Sequence, residues 1–192
     1  RSLRPRRRQI TLMPAPEPGP RSCAPQGATP SWLTLDVVFE DDSWPDQPKA
    51  EAIVRDAAAA LTAHTVMQER APCEACIALS SDAHVRTLNA EFRGKDKPTN
   101  VLSFPAPHQP SSQAVALLGD IVIARETVEC EAAERGIAVS DHLRHLTVHG
   151  LLHLLGYDHE TEAEATVMEN LETEILAGIG VADPYADDSK CT

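Results

Sequence analysis

Alternating apolar and polar positions predict short strands along the chain. Over 32–39, every second residue from Leu33 to Phe39 is apolar, and their neighbours include Thr34 and Asp36, as expected for a strand with one buried face. Three further apolar runs, at 75–79, 99–104 and 117–124, have the length of strands. The polar, proline-containing segment 105–113 between the last two is predicted to be a loop.

Apolar residues that recur every three or four positions predict helices between and after these strands. The predicted bounds are 49–68, Ser81 or Asp82 to Gly94, 126–135 stopped by Gly136, Ser140 to Gly156, and Thr161 to Gly178. In the second helix, Val85, Leu88 and Phe92 are expected to face inward. Thr161 and Glu164 have the spacing of a capping box, which marks the start of the last helix.

The alternation of helices with about four strands predicts an α/β (α+β) fold, in which helices pack on a small mixed sheet. The predicted single domain covers 31–182. Residues 1–30 contain seven of the 15 prolines and six of the 17 basic residues, a composition typical of a disordered extension. The acidic segment 183–192 is predicted to be a flexible tail.

The distribution of charge restricts the class of partner. The chain has a net charge of −12, but residues 1–30 hold six arginines and one acid, so the remainder carries 11 basic and 28 acidic residues, a net −17. An acidic body argues against indiscriminate coating of nucleic acid and still permits a local basic groove. No run of eighteen apolar residues occurs, so no transmembrane helix is predicted.

The five cysteines do not form an even disulfide framework, which favours a reducing cytoplasm. Cys73 and Cys76 form a C-x-x-C pair, but no second Cys/His pair follows at the spacing of a zinc finger. We therefore predict two incidental thiols, with a redox dithiol as the alternative.

Candidate metal chemistry lies in the motif H-G-L-L-H-L-L-G-Y-D-H, which begins at His149. His149 and His153 are four residues apart, so on a helix their Cβ atoms lie about 6 Å apart on one face and both rings can reach one ion. Gly156 is expected to end the helix in a left-handed conformation and bring His159 back to the same ion. Three imidazoles favour zinc and leave a fourth position open, as in catalytic zinc sites. A chelate of His145 with His149 is the alternative, and it leaves Gly156 and His159 without a role.

The same spacing matches the metzincin protease pattern H-E-x-x-H-x-x-G-x-x-H except at one position. Gly150 stands where the protease has its general base, and glycine cannot accept a proton. The sequence thus has the three metal-binding histidines of the protease pattern but not its general base, which favours a reaction other than peptide hydrolysis. Asp158 is a candidate base beside His159, although a hydrogen bond to a ligand or a turn cap is its favoured role.

A second cluster, R-G-K-D-K-P-T-N-V-L-S-F-P, begins at Arg93 and joins a predicted helix to a predicted strand. Arg93, Lys95 and Lys97 crowd its turn. Arginine offers a planar fork that matches phosphate, and lysine offers a point charge. A solvated turn explains these residues when the cluster is taken alone; as a functional site they would bind substrate phosphate.

Three segments together resemble the YbeY family of bacterial endoribonucleases and rRNA maturation factors. They are L-N-x-x-F-R-G-K-D-K-P-T-N-V-L-S-F-P at 88–105, L-G-D-I-V-I at 118–123, and the histidine motif. The resemblance covers about 32–180, with Phe92 standing where the family often has tyrosine.

The resemblance implies a single α/β domain with one zinc ion held by His149, His153 and His159, and it assigns the family's functional arginine to Arg93. It also implies cleavage of single-stranded RNA in 16S rRNA maturation, especially at the 3′ end, and in quality control of 70S ribosomes. The expected partners are therefore the 16S rRNA precursor and the ribosome or ribosomal proteins, with no membrane.

Two other functions fit parts of the sequence. A metallopeptidase would use the metzincin-like histidine cage, although Gly150 counts against it. A non-catalytic ribosome assembly factor would dock its acidic body on basic ribosomal proteins.

Overall fold

The fold is built on a four-stranded mixed sheet with strand order β1-β2-β4-β3. The computed structural model describes residues 32–67, 70–107 and 115–186. Its strands are β1 (Leu33–Phe39), β2 (Cys73–Ser80), β3 (Val101–Pro105) and β4 (Ala116–Ala124). β1, β2 and β4 run parallel, whereas β3 is antiparallel to β4 and forms one edge of the sheet.

Five helices are described, together with a short 3-10 turn at Thr65–Met67. They are α1 (Gln47–Ala63), α2 (Asp82–Arg93), α3 (Arg125–Arg135), α4 (Val139–Leu154) and α5 (Glu162–Ala177). The prediction of an α+β domain with a small mixed sheet is confirmed. None of the helices in the described ranges is long and apolar enough to cross a membrane.

The two faces of the sheet are covered unequally. On β4, Ile121 and Ile123 belong to the main core with α1, α4 and α5, whereas Val122 belongs to a smaller cluster with Val85 of α2. This division follows from the strand period of two, because successive side chains point to opposite faces. It places α4, the histidine helix, directly against one face of β3 and β4.

Several helix ends differ from the sequence predictions. α1 begins earlier because Asp46 is its N-cap, and it ends at Ala63 instead of continuing to residue 68. α4 begins at Val139 with Ala138 as its N-cap, so the prediction of Ser140 as the cap was wrong. The left-handed Gly136 that ends α3 turns the chain sharply, and only two residues separate it from α4.

Phe92 was predicted to face inward, but 52% of it is exposed. It lies in the last turn of α2, where its ring contacts Phe104 of the edge strand β3 instead of entering the core. The capping box of Thr161 and Glu164, in contrast, is formed as predicted.

The predicted terminal extensions lie mostly outside the described residues. This holds for 1–31 and for 187–192, so disorder and flexibility there stay predictions. Residues 183–186 are described, and Tyr185 contacts the domain through a hydrogen bond from its hydroxyl to Glu172.

Candidate metal centre

α4 holds His149 and His153 on the same face, one turn apart. Their ring centroids are 4.6 Å apart, and the two Nε2 atoms are 3.1 Å apart. Two nitrogens that are each about 2.0–2.1 Å from one tetrahedral ion lie roughly 3.3 Å apart. The spacing of the two imidazoles therefore fits a shared metal ion.

The turn after α4 brings the third histidine to this pair. Tyr157 N–H donates to the Leu152 carbonyl and Gly156 N–H to the His153 carbonyl, each at 3.0 Å, and Gly156 has φ +92°. These two bonds and the left-handed glycine form a Schellman motif, which reverses the chain at the end of a helix. The ring of His159 then lies 5.0 Å from that of His153 and 5.6 Å from that of His149.

Hydrogen bonds fix which nitrogen of each helical histidine is free. His149 Nδ1 lies 2.9 Å from Glu172 Oε1, and His153 Nδ1 lies 3.1 Å from the Tyr157 carbonyl oxygen. Both partners are acceptors, so each Nδ1 carries the proton and each neutral ring presents an Nε2 lone pair. Two lone pairs would then face each other across 3.1 Å, an arrangement that a cation between them stabilises.

A nitrogen of His159 lies close to the nitrogens of the two helical histidines. One nitrogen each of His149, His153 and His159 lies within 4.8 Å of the others, so the three could hold a metal ion. Burial, followed by the neighbouring His149 and His159, lowers the pKa of His153. This favours the neutral ring that metal binding requires.

A fully buried carboxylate supports the centre from α5. Glu172 is 0% exposed and accepts hydrogen bonds from His149 Nδ1 at 2.9 Å and His145 Nε2 at 2.8 Å. Burial alone would raise its pKa, but the hydrogen bonds from the two histidines outweigh burial and lower it to about 2. Glu172 is thus an ionised acceptor that fixes the orientation of His149, as carboxylates behind metal-binding histidines do.

Glu172 was missed in the sequence, although a signal was present. It follows Leu171 and precedes Ile175 by three residues, so it lies within the apolar stripe of α5. A charged residue in such a stripe is almost never fully buried without a partner.

The alternative chelate of His145 with His149 has a different explanation in the structure. Atoms of His145, His149 and Glu172 also lie within 4.8 Å of one another. In this group the carboxylate already accepts an N–H from each ring, so the contacts are those of a hydrogen-bonded network.

A cleft of about 530 Å³ opens beside the three histidines, and Arg93 is among the residues that line it. Thr99, Asn100 and Ser103 also line it, although none of them was singled out in the sequence. Arg93 and the three histidines, two separate segments of the sequence, therefore line one cleft.

Lys95 and Lys97 are exposed and are not among the residues that line this cleft. Their backbone is held in place: Lys95 N–H donates to the Asn89 carbonyl at 3.1 Å, and the Asn89 amide donates to the Lys97 carbonyl at 2.7 Å. Since Asn89 is buried, it anchors the turn while both ammonium groups stay in solvent.

Asp158 has the role of a turn residue. Its Oδ1 accepts the backbone N–H of its neighbour His159 at 2.8 Å. The same atom is 3.9 Å from His153 Nδ1, too far for a hydrogen bond. This geometry supports capping of the turn over proton transfer.

Gly150 packs against the sheet and does not line the cleft. A Cβ at this position would meet the Cδ1 and Cγ2 atoms of Ile121 at 3.0 Å each. A glutamate at residue 150 would thus point at the core rather than at the histidines, and α4 approaches β4 closely because glycine is there.

The C-x-x-C pair is not a redox dithiol. Cys73 and Cys76 both lie on β2, where three residues span about 10 Å between Cα atoms, whereas a disulfide needs less than about 7 Å. Burial raises the pKa of each thiol to about 11. Two incidental thiols, the favoured prediction, agree with this geometry.

Comparison with known proteins places most of the chain in one family. The family model described as Endoribonuclease YbeY matches residues 38–180. The protein named Endoribonuclease YbeY from Allorhizobium ampelinum is 50% identical over 159 residues, covering 80% of this chain and 95% of the relative. Its namesake from a Bradyrhizobium species is 52% identical over 167 residues, covering 85% and 96%.

The solution structure of a Thermotoga maritima protein is similar in fold. It has a TM-score of 0.50 and 23% identity, and the match covers 83% of this chain and 99% of that protein. The family model over 38–180 and the two relatives at 50% and 52% identity show that the chain belongs to the endoribonuclease YbeY family.

Proposed function

We propose that this protein is a zinc-dependent endoribonuclease specific for single strands, and that it acts in the cytoplasm on the 3′ end of 16S rRNA and in quality control of 70S ribosomes. The observation that carries the proposal is a single cleft lined both by Arg93 and by the three histidines, two of which have Nε2 atoms 3.1 Å apart. Membership of the endoribonuclease YbeY family supports the same activity.

His149, His153 and His159 would hold one zinc ion per chain, because three neutral imidazoles form the donor set of open zinc sites. When bound, the ion would act as a Lewis acid on a phosphoryl oxygen and lower the pKa of water. Glu172 would keep His149 oriented, and the Tyr157 carbonyl would do the same for His153.

Arg93 would bind the scissile phosphate and stabilise the negative charge that develops during cleavage. Arg93 is exposed and lines the same cleft as the histidines, and its guanidinium can make two parallel hydrogen bonds to phosphate. Lys95 and Lys97, just outside the cleft, would bind neighbouring phosphates as point charges and so contribute a salt-dependent part of the affinity.

The test uses purified protein with labelled single-stranded RNA, duplex RNA, a 16S precursor and casein. We expect cleavage of single-stranded RNA and of the precursor, loss of cleavage with a chelator, and recovery on addition of zinc. Proteolysis that a chelator abolishes would instead support a metallopeptidase. A folded His153→Ala protein that still restored rRNA maturation in cells would support a non-catalytic assembly factor.

Arg93 is tested separately from the metal. Arg93→Glu should retain the fold and the bound metal but lose about 10²-fold or more in cleavage, by analogy with removal of one transition-state donor. Arg93→Lys should recover part of the activity. Lys49→Glu is a matched control, since it makes the same charge change at an exposed position of α1 that does not line the cleft. Near-normal cleavage by Arg93→Glu would exclude Arg93 from the site.

A further inference from the structure

An exposed aromatic ring, that of Phe92, packs on the half-buried ring of Phe104 next to the cleft. Phe92 is 52% exposed, and its ring meets that of Phe104 edge to face, with centroids 5.1 Å apart at 67°. The chain has only three phenylalanines, so this pair uses two of them. Burying a large apolar side chain stabilises a fold, so a large ring that the fold leaves in solvent indicates a binding surface more strongly than a buried ring does.

Phe92 is not part of the core cluster under α2, whereas Phe104 packs partly against it. Val85 of the same helix is 0% exposed and packs with Leu102 and Val122. Phe92 lies two turns further along, at the end of the helix, and its partner Phe104 belongs to the edge strand β3. The two rings therefore form a platform at the edge of the sheet, in which Phe104 packs partly against the smaller core cluster and Phe92 is exposed.

Both residues of this platform are adjacent in the chain to residues that line the cleft. Phe92 directly precedes Arg93, and Phe104 lies between Ser103 and Pro105; these three neighbours all line the cleft. Since successive Cα atoms are about 3.8 Å apart, the platform begins one residue away from the cleft wall. β3 thus presents the cleft on one face and the aromatic pair on the other.

The surroundings suit a base better than a phosphate. Asp120 lies opposite Phe104 in the β3–β4 register, and a carboxylate there disfavours a second phosphate beside the rings. On the other side, Arg93 supplies the cation for a phosphate in the cleft. A nucleotide fits this surface, because its neutral, flat base can lie on the aromatic rings while its phosphate binds Arg93.

We propose that Phe92, supported edge-on by Phe104, stacks an unpaired base of the RNA whose neighbouring phosphate binds Arg93. The inference deepens the proposed ribonuclease function and rests on it. Stacking on an aromatic ring accepts any base, because every base has a π-face. A base within a duplex is already stacked on its neighbours, so the platform selects single strands.

The test measures the binding of a fluorescent single-stranded RNA to chelator-treated protein, in which cleavage is suppressed. Phe92→Ala should raise Kd by roughly 5- to 150-fold, the range reported for loss of one base–aromatic stack. Phe92→Tyr and Phe92→Trp should retain tight binding. Because Phe92 is uncharged, the slope of log Kd against log salt should be unchanged in Phe92→Ala and reduced in Arg93→Glu.

Val167→Ala is the matched control, since Val167 is 57% exposed on α5 and lies outside the cleft lining. Phe92→Leu separates stacking from simple apolar contact and should behave like Phe92→Ala. Unchanged Kd in Phe92→Ala, or full binding by Phe92→Leu, would overturn the stacking proposal while leaving the ribonuclease function intact. Absence of both RNA binding and RNA cleavage in the unaltered protein would overturn both proposals.

Discussion

The carboxylate of Glu172 offers a direct test of how the centre is held together. In Glu172→Gln, one amide oxygen and one NH2 group replace two acceptor oxygens that now serve His149 and His145 at 2.9 and 2.8 Å. At least one buried imidazole N–H then faces an NH2 donor and is left unsatisfied. Such a group costs about 1–3 kcal/mol, so we expect a fall in Tm of several degrees.

The same substitution should weaken metal binding without removing a ligand. Loss of an outer hydrogen-bond partner of a metal-binding histidine typically lowers metal affinity by about 10- to 100-fold. The expected affinity of Glu172→Gln for zinc is lower by this factor, measured by competition with a chromogenic chelator, and cleavage should recover at high zinc concentration.

Glu174→Gln provides the control on the same helix. The Glu174 side chain is 67% exposed, and its Oε2 lies 3.3 Å from Nε2 of His64, outside the histidine cluster. Glu174→Gln removes the same charge from α5 as Glu172→Gln does, and it should change neither Tm nor zinc affinity measurably. A folded Glu172→Gln protein with the zinc affinity of Glu174→Gln would refute the idea that Glu172 orients His149.

Three further predictions concern other parts of the chain. Gly150→Glu should unfold at a markedly lower temperature and show no proteolysis of casein, because the new carboxylate would point at Ile121 in the core. Cys73 and Cys76 should react slowly with a thiol reagent at pH 8, since a pKa of about 11 leaves few thiolates; rapid labelling of either residue, located by peptide mass spectrometry, would contradict this. A chain that begins at Ser31 should keep its Tm and RNA cleavage, since residues 1–30 lack the apolar periodicity to join a core; a large fall in Tm would contradict it.

Much of the site was readable from the sequence because its spacing is local. The interval between His149 and His153 equals one helical turn, and a glycine after a helix reverses the chain, so the approach of His159 follows from a few adjacent residues. Strands and helices were predictable for the same reason, because their periods appear in the order of apolar residues.

Helix ends and side-chain exposure were less predictable, because they depend on what the rest of the fold covers. Ser140 has the chemistry of an N-cap, but the turn after α3 starts the helix before it. Phe92 fits the apolar stripe of α2, but that helix ends over the edge strand, where its ring packs against Phe104 and stays 52% exposed.

The sequence by itself determined the family, the strand and helix order and the three histidines, all of which are carried by short motifs. Only the tertiary structure decided that Glu172, on α5, lies behind His149, and that Arg93 lines the same cleft as the histidines. These residues are far apart in the chain, and their contacts depend on how α5 packs on α4 and how β3 pairs with β4. Such packing follows from burial of many side chains at once, so no local pattern records it.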